Sequence, residues 1–183
     1  MCGTDDEFYD ALRKEAAEQK AFYDELAGES PRAAVILAVA SLEDELERLI
    51  RSKFPGETSR TLWKKIAGPG FTPLGSLSAK ADIAQAFGFY GPKTRSIIQD
   101  IAVVRNKFAH NSAVRHFDHP SVFKSCKKLD RNPIFPDGTV SDISPPEHVR
   151  WVYVHTVQIL EERMEAIRMY IPELGDPEPD PLL

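Results

Sequence analysis

The chain has 183 residues, 42% of them hydrophobic and 28% charged, a balance that suits one globular domain with a single core and excludes a disordered chain. Its formal net charge of −5 at pH 7 disfavours a protein that grips duplex nucleic acid by bulk charge, although a small local patch for RNA stays open. Two cysteines, Cys2 and Cys126, in no Cys-x-x-Cys spacing fit a reducing cytosol and no disulfide framework.

The N-terminal "MCGTDDEFYD" is acidic and lacks the basic and apolar regions of a signal peptide. Thr4 and Glu7 make a Thr-x-x-Glu capping box ahead of an amphipathic run to about Gly28, so residues 1–29 read as an N-terminal helix. Ser30-Pro31 supplies an N-cap followed by proline at the first helical position. A helix then runs to about Phe54, where Pro55-Gly56 stops it. Its "AAVILAVA" is the longest apolar run; it ends at Ser41 and the charged "EDELER", so it is a core helix and too short to span a membrane.

Glu57-Thr58 opens a short helix through "SRTLWKKIA" that "GPG" ends. Ser76 or Ser78 caps "AKADIAQAFG", Gly91-Pro92 opens a longer helix, and His119-Pro120 opens a short one through Lys128. "NPIFPDGTV", residues 132–140, suits a short extended piece. Ser144-Pro145-Pro146-Glu147 starts a long helix to about Ile171, stopped by Pro172, and residues 173–183 form a Pro-rich acidic tail. The fold class is all-α: a single-domain helical bundle of about six or seven helices, the N-terminal one included, with the helical domain proper over residues 30–172 and the helices from Pro31, Pro92 and Pro146 at its centre.

The stretch that carries polar chemistry is "IAVVRNKFAHNS", residues 101–112. At 100° per residue, Ile97, Ile101, Val104 and Phe108 share the core stripe and Arg105 flanks it. Asn106 and His110, four apart, neighbour each other nearly opposite the core, with Gln99 and Val103. Arg105 and His110 are five apart and so roughly 140° apart on an unbroken helix. They converge only if the helix ends near His110 or a second subunit completes the site. Glu43 and Asp44, beside the core side marked by Leu42, Leu46 and Leu49, are candidate partners for Arg105. The plain reading is an Arg–carboxylate bridge, with His110 favoured by the dipole at a helix C-terminus.

Lys124, Lys127 and Lys128, with Arg131 beyond, form a weak basic patch that reads as solvated surface. His110, His116 and His119, near Asp118, match no firm zinc spacing, so no metal site is assigned. "GPGFTPLGS" lacks the Gly-Lys-Ser/Thr of a phosphate loop, and no motif points to a cofactor. Trp63, Trp151, Phe71, Phe87, Phe89 and Tyr90 read as core or interface packing rather than a base-stacking platform.

"RNKFAH" fits the Arg-x4-His pattern and resembles the HEPN superfamily of helical bundles, many of them metal-independent ribonucleases that work as dimers. More specifically, "RAAVILAVASLEDELERLI", "PLGSLSAKADIAQAFG", "IQDIAVVRNKFAH" and "FDHPSVFKSCKKL", in that order from Arg32 to Leu129, resemble the bacterial mannitol operon repressor family (MtlR-like proteins). That resemblance implies a helical cytoplasmic regulator of transcription with no DNA-binding motif of its own, acting through a protein partner. No helix pair here has the short turn and basic recognition helix of a helix-turn-helix reader. The HEPN resemblance implies instead that His110 is the acid or base, that Arg105 holds the scissile phosphate, that Asn106 orients the imidazole, and that RNA and a homodimer are involved.

Overall fold

In a computed structural model of the chain, residues 3–54, 60–68, 70, 72–129 and 146–170 are described. They form seven helices: α1 (Gly3–Gly28), α2 (Pro31–Arg51), α3 (Arg60–Ala67), α4 (Leu77–Ala86), α5 (Pro92–His110), α6 (Pro120–Leu129) and α7 (Pro146–Tyr170). No strand occurs among the described residues. The all-α bundle expected from the sequence is therefore the observed architecture.

Local chemistry sets most boundaries. The Ser30 side chain accepts from the Ala33 amide at 3.2 Å, with Pro31 at the first turn of α2. Ser76, not Ser78, caps α4 by accepting from the Ala79 amide at 3.2 Å. The α4 C-terminus closes as a Schellman turn: Gly88, at φ 76°, donates to Gln85 O, and Phe89 donates to Ala84 O.

Three expected boundaries move. α1 already begins at Gly3, so Thr4 lies inside its first turn rather than at the cap. α2 ends at Arg51 rather than Phe54, because Lys53 and Phe54 donate three residues back, to Ile50 O and Arg51 O, and tighten the last turn. α6 runs one residue past Lys128. Residues 132–140, Ser144 and the tail lie outside the described residues.

α2 is the central helix, packed against α5 and α7 with further contacts to α1 and α4. Leu42, Leu46, Leu49 and Ile50 of α2 are fully buried, as are Ile101, Val104 and Phe108 of α5. Each such side chain contributes about 1.5–3 kcal/mol of burial. α7 completes the core with Val149, Val152, Val157 and Leu160. Its Tyr153 is fully buried, and the hydroxyl donates to Ile101 O at 3.2 Å.

Three glutamates tie the helices together. Glu45 accepts from Arg48 at 2.7 Å and from Arg168 of α7 at 3.1 Å. Glu47 accepts from Trp63 Nε1 of α3 at 2.6 Å and lies 3.3 Å from Lys80 of α4. Glu161 of α7 accepts from the Tyr23 hydroxyl of α1 at 2.8 Å. Glu45 and Glu161 are themselves buried, so removing the groups that face them leaves a buried carboxyl unsatisfied, which costs more than the contact itself contributes.

Candidate functional site

α5 is helical up to His110, and Asn111 is its C-cap, in extended backbone at φ −118°. The Asn111 side chain accepts from the Ala113 amide at 3.0 Å, and its carbonyl accepts from Val114 N at 3.1 Å. Arg32, from the start of α2, donates to both Asn111 O and Val114 O at 3.0 Å. A cation thus closes the negative end of α5 from a neighbouring helix. On the other flank, Lys107 donates to Ser121 O and, at 2.6 Å, to Ser125 Oγ, fixing α5 to α6. Phe108 fills the core against Phe117, ring centroids 5.1 Å apart.

The three motif residues keep the phases expected of them. Arg105 is half-buried, and Asn106 and His110 are exposed. Arg105 Nη1 donates to Asn106 Oδ1 at 3.0 Å. Its charge lies near enough to Tyr153 to oppose the burial that raises that phenol. Neither Glu43, half-buried, nor Asp44, exposed, forms an ion pair with Arg105 among the described residues, so the expected carboxylate bridge is absent. The physical reason is helical phase: the acids of α2 that enter helix seams are Glu45 and Glu47, directed at α7 and at α3 and α4. Among the described residues no hydrogen bond joins Asn106 to His110. α5 ends at His110, the point at which the two side chains could approach within one chain, yet among the described residues no hydrogen bond joins Arg105 to His110.

The other candidates separate as well. Lys124, Lys127 and Lys128 are all exposed, with Lys128 paired to Asp100 at 3.1 Å and Lys127 over the Phe123 ring at 4.9 Å. The basic patch read from the sequence is therefore partly neutralised. His119 accepts from the Ser121 amide through Nδ1 at the start of α6, and no three His, Cys, Asp or Glu side chains among the described residues cluster tightly enough for a metal.

Recesses lie along the seam between α1 and α7, one of about 360 Å³ beside Gln19, Gln158 and Met169 and two others. The larger, about 550 Å³, is lined by Tyr23, Leu26, Arg150, Trp151, Val154 and His155. Trp151 is 49% exposed and stacks on His155 at 4.7 Å. Arg150 closes the C-terminus of α1 by donating to Leu26 O and Ala27 O. The smaller recess, about 220 Å³, is polar and includes Gln19, Ser41, Glu45, Arg48 and Glu161. Burial, reinforced by Glu45, pushes the Glu161 carboxyl up to about 7.

A third feature escaped the sequence reading. The end of α2, α3 and the end of α4 meet in a run of edge-to-face rings: Phe54 with Trp63 at 5.3 Å, Phe54 with Phe87 at 6.1 Å, and Phe87 with Phe89 at 6.2 Å. Arg51 sits over Trp63 at 5.4 Å and Lys53 over Phe89 at 5.3 Å. Trp63, Phe89 and Tyr90 are buried, as expected of packing residues, whereas Phe87 is 39% exposed. The signal was visible as five Lys and Arg against one Glu in "RSKFPGETSRTLWKK".

No family model, curated protein or solved structure matches this chain.

Proposed function

We propose that this protein is a non-enzymatic regulatory module of the mannitol-repressor-like type that works in the cytosol through contact with a protein partner. The observation that carries this reading is that Arg105 is bonded to Asn106 while, among the described residues, no hydrogen bond brings His110 to either of them. Arg105 is engaged with Asn106, and His110 projects from the last helical position. General acid–base chemistry needs both groups within hydrogen-bond reach of one substrate, and no contact between them holds such an arrangement in place. The test is cross-linking capture from native lysate, with wild type and His110→Ala as baits. A specific partner retained by both supports the reading; no specific partner overturns it.

A HEPN-type ribonuclease is the second reading, favoured by one observation: Arg105, Asn106 and His110 are not sealed behind carboxylates and stay reachable from solvent. A second copy facing α5 would then complete the site. Incubation with total RNA decides it. Cleavage by wild type that His110→Ala abolishes establishes the nuclease, and identical RNA profiles remove it.

A further inference from the structure

We infer that the ledge formed by the end of α2, α3 and the end of α4 docks an acidic peptide segment that carries an apolar anchor. This deepens the regulatory reading and rests on it, since it names the chemistry of the partner.

Charge comes first. Arg51, Lys53, Arg60, Lys64 and Lys65 are all exposed, and none pairs with a carboxylate among the described residues. Lys80, Arg95, Lys128 and Arg168 are each matched to an acid, whereas the five cations of the ledge fall within the single stretch of residues 51–65 without one among the described residues. The acid beneath the ledge, Glu47, is itself neutralised by Lys80 and bonded to Trp63. The ledge therefore presents uncompensated positive charge that favours an anionic partner.

The apolar part narrows the class. Leu62, 50% exposed, lies on the same helix as Arg60, Lys64 and Lys65, and Phe87, 39% exposed, packs on Phe54 and on Phe89, the ring under Lys53. The rings behind them are buried, and the Gly88 turn fixes the α4 end, so the surface is preorganised. Single-stranded nucleic acid needs open ring faces for stacking. Here Trp63 and Phe89 are 4% and 3% exposed, with Arg51 and Lys53 over their rings. Two exposed apolar side chains are also few for insertion into a lipid interface. Carboxylates spaced along a peptide, with one or two apolar side chains for Leu62 and Phe87, match what is presented.

The probe is a short fluorescein-labelled peptide of glutamates interrupted by leucine and phenylalanine, titrated by anisotropy at about 0.15 M salt. We expect saturable binding that Lys64→Glu/Lys65→Glu weakens about tenfold and that Leu62→Ser also weakens. Both variants change exposed positions, and unchanged thermal melting verifies their folding. Absence of binding, equal affinity of wild type and the double variant, or tighter binding of oligouridylate or phosphatidylserine vesicles overturns the proposal. A partner captured from lysate but cross-linked through another face also overturns it while leaving the regulatory reading intact.

Discussion

The Tyr23 hydroxyl donates to Glu161 Oε2 at 2.8 Å across the seam between α1 and α7, while Glu161 Oε1, also buried, accepts no hydrogen bond among the described residues. Around this carboxyl stand Gln19 and Tyr23 of α1, Ser41, Glu45 and Arg48 of α2, and Glu162 and Glu165 of α7. Burial dominates and Glu45 adds to it; Tyr23, Ser41 and Gln19 pull the other way; the net result is a carboxyl raised to about 7.

That position makes the protein less stable as pH rises. Below about 4.5 the group is protonated in both the folded and unfolded states. Between that point and about 7 the folded state holds the extra proton, so the stability it confers is lost as pH climbs through that window. The full effect is on the order of 3 kcal/mol. Glu161→Gln keeps an acceptor for Tyr23 and removes the charge. Urea unfolding should show the variant matching wild type near about pH 5 and exceeding it near about pH 8. Parallel pH profiles for the two proteins would refute this assignment.

Arg32 closes α5 from outside through two charge-assisted hydrogen bonds to Asn111 O and Val114 O. Arg32→Met keeps the stem and removes both. The expected loss is about 1–3 kcal/mol, which corresponds to a Tm lower by roughly 2–4 °C per kcal/mol in a chain of this size. Faster amide exchange should concentrate in the last turn of α5. If melting and exchange are unchanged, Asn111 and Ala113 hold that end by themselves.

How far the sequence led differs between fold and site. Caps such as Ser30 and the prolines at residues 31 and 92 act through the nearest few residues, so they are readable in one dimension. The same is true of the α5 core stripe, whose period alone names Ile97, Ile101, Val104 and Phe108. Partners of charged side chains are another matter. Glu43 and Glu45 look alike in "SLEDELERL", yet two residues place them about 200° apart around α2, and only Glu45 meets Arg168. Arg168 lies 123 residues away, and no local pattern announces it. The ring-and-cation ledge joins residues from three helices, so its basic half was legible and its aromatic half was not.

Gly88 ends α4 in the left-handed region at φ 76°, where an L side chain clashes with its own backbone. Gly88→Ala should cost about 1–2 kcal/mol, and Gly88→Asn less, because asparagine tolerates that conformation. The same turn sets Phe87 and Phe89 side by side, so the alanine variant should also disturb the environment of Trp63 through Phe87 and Phe54. Denaturant unfolding combined with tryptophan fluorescence reads both effects. A fully neutral alanine substitution would place this turn outside the cooperative core.

The residues of "RNKFAH" divide into those that hold the fold and those that do not, and the division is measurable. Phe108 is fully buried between α5, Phe117 and the core, so Phe108→Ala should cost about 3–5 kcal/mol. His110 is exposed at the helix end without a hydrogen bond among the described residues, and Asn106 is exposed with one neighbour, Arg105. His110→Ala and Asn106→Ala should therefore leave stability within about 0.5 kcal/mol of wild type. Any loss of partner capture or RNA cleavage in those two variants then reports on function alone. Destabilisation of His110→Ala by more than about 1 kcal/mol would instead make His110 part of the α5 C-cap, joining Arg32 in a structural role.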